Sequence, residues 1–474
     1  MPPHLSRDAE DGLPADRRRL ALAVIVIGTV MAVLDSSIAN VALPTLAREL
    51  RTDAASSVWV VNAYQVAVTM LLLPFASLGD VVGYRRIYTL GIAVFTLGSL
   101  GCALATSLAA LVAWRVFQGV GAAALMSIAP ALLRSIFPPA MLGTAVGISA
   151  LTVASSSAAG PALGGMLLGI APWPWIFAVN VPLGIFDTAF ALRVLPRTPG
   201  SGNRFDLTSA FLSGPALTLF IIALDGFARR LAPGLIASLL AASLGFGIAF
   251  VRRQRTLAAP MLPLDLFGIR RFSLAAATSL CSFTAQGLAF VALPFLLQGA
   301  YGFSAFEAGL LLVPWPLSIA LVAPFAGRLS DRVSPARLST AGLAVLSFGL
   351  ACLAQLPAHP AAWDIVWRAI ICGCGFGFFQ APNNRELLGS APRNRSGSAS
   401  GILATVRLLG QSLGATLVGI LLGKVTASQG ALAPSLAGPA HVALWLAATV
   451  AALAAGVSAL RLVDARRELE PKPV

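Results

Sequence analysis

Residues 20–43 read LALAVIVIGTVMAVLDSSIANVAL. In this run the only charge is Asp35, and a helix needs roughly 20 apolar residues to cross a bilayer. Arg17, Arg18 and Arg19 stand immediately before it. A signal peptide begins this way, but the run is too long for the apolar core of one and contains an acid. It therefore reads as an uncleaved first membrane span.

The same design recurs along the chain. Apolar stretches predict spans at 20–43, 57–78, 87–106, 108–133, 142–169, 175–195, 207–226, 233–251, 273–297, 306–327, 338–356, 363–387, 397–423 and 441–462. The composition agrees: 57% of residues are hydrophobic and 11% charged, against about a quarter charged in soluble domains. Too few polar side chains exist to clothe a water-facing surface. The chain is expected to be an all-α integral membrane protein of fourteen spans.

The formal charge of +14 on a soluble protein would suggest nucleic acid as partner. Here the basic residues fall in short clusters between apolar runs, as positive-inside topology demands, so no nucleic-acid partner is expected. With both termini cytoplasmic, 25 of the 33 basic residues lie in inside segments, five in outside segments, and Arg115, Arg368 and Arg407 within spans. One span more or fewer would scramble this asymmetry. Arginine supplies all but Lys424 and Lys472, which with the high alanine content suggests a GC-rich bacterial genome and a bacterial cytoplasmic membrane. The five cysteines lie in apolar runs as small hydrophobes, so neither a disulfide framework nor a metal site is implied.

An internal repeat divides the chain. Trp114-Arg115 is followed by Gly119, Gly121 and Pro130; Trp367-Arg368 is followed by Gly373, Gly375 and Pro382. A basic loop after the second span, Gly79-Asp80-Val81-Val82-Gly83-Tyr84-Arg85-Arg86, has a counterpart in Gly327-Arg328-Leu329-Ser330-Asp331-Arg332. Both pairs place spans 1–6 in register with spans 9–14. The expected organisation is a tail (1–19), a six-helix bundle (20–195), a linker region with two additional spans (196–272), a second six-helix bundle (273–462) and a tail (463–474). Duplicated halves with a site between them are a transporter signature.

Four stretches, taken in order, give a resemblance. Leu34-Asp35-Ser36-Ser37-Ile38-Ala39-Asn40-Val41-Ala42-Leu43-Pro44, residues 76–86, Arg115-Val116-Phe117-Gln118-Gly119-Val120-Gly121, and Gly147 with Ser156 and Gly160-Pro161-Ala162-Leu163-Gly164-Gly165 resemble the signatures of the major facilitator superfamily, in its fourteen-span drug–proton antiporter family. Ser37, Ala76, Val81 and Ser156 depart from the commoner Thr, Gly, Arg and Gly. The resemblance implies proton-coupled export of small amphipathic or cationic compounds, multidrug-efflux type, by alternating access. It implies no cofactor beyond the proton gradient, and a monomer acting on a small-molecule substrate, protons and the lipid bilayer.

Asp35 is the first candidate, because an intramembrane acid is costly and functional by default. It can exchange a proton or pair with a cationic substrate; alternatively it bonds neighbouring helices, with Asn40 as a partner. Arg115 is always charged and must face a cavity or an acid. The resemblance gives it and Gln118 a part in proton transfer, while a structural ion pair is the plain alternative. Arg368 has Asp364 one turn earlier, a spacing that pairs on one helix face. Arg407, with Gln411 one turn on, is a cavity candidate with no acid beside it. Asp187, mid-span where the family is usually apolar, is either a second protonatable group or a polar helix contact.

Asp80, Gly83, Arg85, Arg86 and Asp331 form the expected conformational-switch loops, whose charges can pair with helix ends in one state and release in another. Gly147, Gly160, Pro161, Gly164 and Gly165 offer a close, bent helix contact, which the resemblance links to sealing one side of the pathway and to export. Tyr64, Gln65, Gln286 and Gln380, with Trp59, Phe283, Trp315 and Phe378, are candidates to line a cavity. An endogenous antibiotic or siderophore is an alternative cargo. A membrane acyltransferase, suggested by His359 and Asp364 in an H-x4-D spacing, is the remote alternative. No HExxH or GxxxxGK[ST] occurs, which argues against zinc proteolysis and ATP-driven transport.

Overall fold

Among the described residues, fourteen helices are long and apolar enough to cross a membrane: α1 (Ala15–Glu49), α2 (Ala54–Val82), α3 (Tyr84–Ala103), α4 (Leu108–Ile136), α5 (Leu151–Ile170), α6 (Trp175–Val194), α7 (Leu207–Phe227), α8 (Pro233–Thr256), α9 (Arg270–Ala300), α10 (Ala305–Leu329), α11 (Pro335–Leu353), α12 (Ala362–Ser390), α13 (Ala399–Gly423) and α14 (Ala437–Leu462). The structure is a computed structural model and describes residues 12–138, 141–198, 200, 205–228, 231–257, 260–392, 396–426 and 437–467. No strand occurs among them. An even number of spans leaves the start of α1 and the end of α14 on one side of the bundle, here called the proximal side.

Several spans are broken where the sequence removes a backbone donor. In α10 the helix Ala305–Leu312, opened by a Ser304/Glu307 capping box, passes into Pro314–Leu329. The α-helical part of α9 closes at Pro294 and continues as a π-helical turn over Phe295–Ala300. Proline forfeits one hydrogen bond and clashes with the preceding turn.

Residues 76–86 are not a loop. α2 runs on to Val82, α3 starts at Tyr84, and Gly83 alone makes the break. Its φ of +104° suits glycine, and a Cβ there would lie 2.3 Å from the Thr198 carbonyl oxygen.

Helix packing repeats with an offset of eight. α1 packs on α5 as α9 packs on α13, α2 on α4 as α10 on α12, and α3 on α4 as α11 on α12. α3 also packs on α6 as α11 does on α14. The repeat reaches individual residues. Gly91 and Gly121 meet backbone to backbone between α3 and α4, as Gly342 and Gly375 do between α11 and α12. Gly119 abuts the Tyr64 carbonyl, and Gly373 the Trp315 carbonyl. Small residues let helices approach closely where lipid supplies no hydrophobic drive.

The two halves meet through α5 on α10, α2 on α13 and α1 on α9. The additional pair has a definite seat. α7 packs against both α2 and α13, covering that seam, with Thr218 donating to Met70 Sδ at 3.3 Å. α8 packs mainly on α7 and is largely exposed towards lipid.

Candidate functional site

Two polar features stand out among the described residues of the membrane interior. The first lies within the first half. Arg115 Nη1 donates to Asp35 Oδ2 at 2.5 Å and to Gln118 Oε1 at 2.6 Å, while Nε donates to the Val60 carbonyl at 2.9 Å. The other carboxylate oxygen, Asp35 Oδ1, accepts from Gln118 Nε2 at 2.9 Å and from Asn180 Nδ2 at 3.0 Å. Gln118 also donates to Ser99 Oγ at 2.8 Å. Five spans (α1, α2, α3, α4 and α6) thus join in one hydrogen-bonded cluster around the Asp35 carboxylate. The Arg115 and Asp35 side chains are both 0% exposed.

The Tyr64 ring covers this cluster. Arg115 Cζ sits 4.3 Å from its centroid and 5.4 Å from that of Phe177, cation–π distances. The Tyr64 hydroxyl is tied to the Ala32 carbonyl at 3.1 Å. Asp35 is therefore not stranded alone in hydrocarbon, as its sequence context suggests. Nor is Asn40 its partner: five residues along a helix is a rotation of ~140° to another face, and Asn40 Nδ2 instead donates to the Ser36 carbonyl. Asn180 and Ser99 escape the sequence reading. A lone amide in the apolar run Val179-Asn180-Val181 was the available signal for the first.

The second feature is a cavity of about 540 Å³ between the halves. Tyr64, Gln65, Gln286, Gln380, Phe283 and Arg407 line it as the sequence predicts; Trp59, Trp315 and Phe378 do not. Ser36, Ser37, Asn40, Ser157, Phe290, Phe376, Asn384 and Gln411 complete its polar and aromatic wall. Gln411 donates to Gln286 at 3.3 Å. Asp35, Arg115 and Gln118 stay behind Tyr64, out of the cavity. No acid stands among the described lining residues, so a cationic cargo, one of the two kinds the resemblance implies, finds no carboxylate there.

On the side away from the start of α1, contacts join the two halves beyond the cavity. Asn62 donates to Thr416 Oγ1 at 3.0 Å and Gln298 to the Val41 carbonyl at 2.9 Å. The glycine-proline stretch of α5 works on two faces. Gly160 and Gly164 abut Ser37 and Ile38 of α1, while Gly165 and the Pro161 carbonyl abut Ala305, Phe306 and Gly309 of α10. The surroundings of Gly147 lie outside the described residues.

At the proximal ends, Asp80 accepts from the Tyr84 hydroxyl at 2.6 Å. The Arg85 guanidinium donates to the Leu192 carbonyl in the last turn of α6, and Asp331 pairs with Arg385 of α12. Arg86 is exposed. Asp187 is buried, with neither carboxylate oxygen bonded among the described residues, and it lies outside the cavity. It faces α1 at Gly28, where a Cβ would lie 3.5 Å from Asp187 Oδ2 and 2.5 Å from the Tyr88 hydroxyl.

Arg368 pairs with Asp364 at 3.1 Å. His359 is exposed, so the H-x4-D spacing assembles no site. Gly410-Gln411-Ser412-Leu413-Gly414 spells GxSxG, but it runs mid-helix in α13, not on the strand-to-helix turn that pattern requires of a nucleophile.

The Major Facilitator Superfamily model matches residues 25–415 and 276–473. The chain belongs to the major facilitator superfamily. It is therefore a multi-pass membrane transporter and not an enzyme. Among relatives of this superfamily it is 50% identical to the transporter YebQ of Escherichia coli K12, over 96% of this chain and 98% of that one. It is 33% identical to the riboflavin transporter RibZ of Clostridioides difficile, over 83% and 86%. It is 32% identical to the multidrug resistance protein Stp of Mycobacterium tuberculosis, over 85% and 75%. The fold resembles that of a bacterial homologue of the human lysosomal transporter Spinster, crystallised inward-facing and unoccupied. That match has a TM-score of 0.67 and 16% identity, over 94% of this chain and 97% of that one.

Proposed function

We propose that this transporter exports small amphipathic compounds across the bacterial cytoplasmic membrane in exchange for protons, its halves rocking about the central cavity with both chain ends in the cytoplasm. The observation that carries the reading is the Asp35–Arg115 pair, fully buried and one ring away from the cavity. A proton arriving on Asp35 cancels one charge of the pair and leaves Arg115 uncompensated. Breaking a buried pair from one side costs about 3–5 kcal/mol, and about 5.5 kcal/mol moves a two-state equilibrium from 1:99 to 99:1. Protonation is thus on the scale needed to bias a conformational change. Tyr64 is wall to both compartments, so cargo pressing on its cavity face and a proton on its far side are sensed by one side chain.

Export is supported by the close α5–α10 contact at Pro161 and Gly309 and by the name of Stp as a multidrug resistance protein. The arginine bias supports the orientation. RibZ, named for riboflavin, favours a second reading in which the cargo is one dedicated metabolite; the same cavity and coupling pair serve both.

The test is efflux from proteoliposomes holding the purified chain, with a pH difference imposed and then collapsed by an ionophore. Cargo movement that follows the pH difference, and that Asp35→Asn abolishes while Asp35→Glu keeps in part, is the expected result. Movement indifferent to the pH difference refutes proton coupling.

A further inference from the structure

The charge that faces the central cavity is positive. Arg407 is the one charged side chain among the described residues that line it, and it has no acid or hydrogen-bond partner among them. Elsewhere in the described membrane interior arginines are matched: Arg115 by Asp35, Arg368 by Asp364, Arg461 by Glu386. A guanidinium held at depth without a counter-ion is costly, and its fork of donors fits a carboxylate in a two-point contact.

The surroundings specify more than a charge. Gln411, one turn beyond Arg407, is bonded to Gln286 of α9, which braces both amides in the wall that Arg407 also lines. Three amide carbonyl oxygens of the cavity wall, on Asn40, Gln65 and Asn384, are buried without a partner. Buried acceptors left unmade are expensive, so they ask for donors on whatever fills the space. Phe283, Phe290 and Phe376 supply aromatic wall. The volume, about 540 Å³, falls within the range of sites that enclose a drug-sized ligand.

We infer that the cavity selects organic anions: an aromatic acid whose carboxylate rests on Arg407, whose ring lies against the phenylalanines, and whose N–H or O–H groups meet the unpaired amide oxygens. This deepens the exporter reading by naming its substrate class, and it rests on the central cavity being the cargo site of that reading. A cation of the same shape meets like charge with no acid among the described lining residues to offset it.

The experiment is binding of three matched probes to the purified full-length chain in detergent: 2-naphthoate, the neutral 2-naphthamide and the cationic 2-naphthylmethylammonium. The carboxylate binds at least tenfold tighter than the amide, and the cation weakest. Arg407→Gln brings carboxylate binding down to that of the amide and so erases the tenfold preference, and Arg407→Lys keeps part of it. Gln411→Glu, which sets an acid one turn from an intact Arg407, also erases it, so the result does not hang on one variant.

A cation bound as tightly as the carboxylate overturns the inference, as does a carboxylate preference that survives Arg407→Gln. Neither arm uses a proton gradient. Uncoupled transport in proteoliposomes with the anion preference intact overturns the coupling alone, and coupled transport of cargo without that preference overturns the substrate class alone.

Discussion

Asp35 Oδ2 and Arg115 Nη1 lie 2.5 Å apart, 80 residues distant in sequence, with neither side chain exposed. The pair holds α1 to α4 in the middle of the first half, and its members are worth more together than apart. Either Asp35→Asn or Arg115→Met should destabilise the protein by about 3–5 kcal/mol, because each strands a buried charge or its partners. The double variant should lose markedly less than the sum. Thermal unfolding in detergent checks this, and strict additivity would show that the contact is not an energetic unit.

The closure between halves can be wedged. A Cβ at Gly309 would sit 2.2 Å from the Pro161 carbonyl oxygen, whereas at Gly169, further along α5, the nearest neighbour is 3.9 Å away. Gly309→Val should force α5 and α10 apart. A cysteine placed at Ser36 in the cavity should then label faster with an impermeant maleimide applied from the side opposite the chain ends. Gly169→Ala should leave labelling as in the parent. Equal rates in both variants would mean that this contact does not close the cavity.

The additional helices carry a pH-dependent tether. Asp206 stands just before α7, where it accepts from the Ser209 backbone at 3.1 Å, and from Arg253 of α8 at 2.8 Å. The hydrogen bonds from Arg253 hold its carboxyl down at about 2, below the usual ~3.9. A depressed acid contributes stability that is whole above about pH 4 and fades as pH falls towards 2. Both side chains are partly exposed, so screening keeps the effect small. Asp206→Asn should unfold at a lower temperature than the parent at pH 7 and at the same temperature near pH 2. Parallel melting curves across that window would rule the tether out.

Asp187 makes no bond that a substitution can remove. Asp187→Asn is expected to leave melting temperature and transport rate within about twofold of the parent, since a buried polar group without partners adds no stability. A selective collapse of transport with the fold intact would return it to the proton path.

Much of this was legible in the residues. The lone Asp35 in an apolar run, the paired Trp-Arg-Gly-Gly-Pro stretches and the Arg clusters gave fourteen spans and a duplicated body, because lipid forces backbone bonds to close within each segment. The Asp364–Arg368 pair was legible too, being one turn apart on one helix. Asn180 was not, since its meaning comes from lying 3.0 Å from a residue 145 positions earlier. Arg115 and Arg368 occupy matching places in the repeat, yet one closes on a distant acid and the other on its own helix; sequence symmetry could not tell them apart.

The residues by themselves determined the number of spans, the family and the polar groups that must be accommodated in hydrocarbon, because hydropathy and helical spacing are local properties of a chain. Only the tertiary structure decided that Asp35 is shut behind Tyr64, that Arg407 faces the cavity without an acid, and that α7 covers the α2–α13 seam. Those outcomes depend on which helix faces meet across the bundle. Every such meeting joins residues far apart in sequence, through contacts no local pattern encodes.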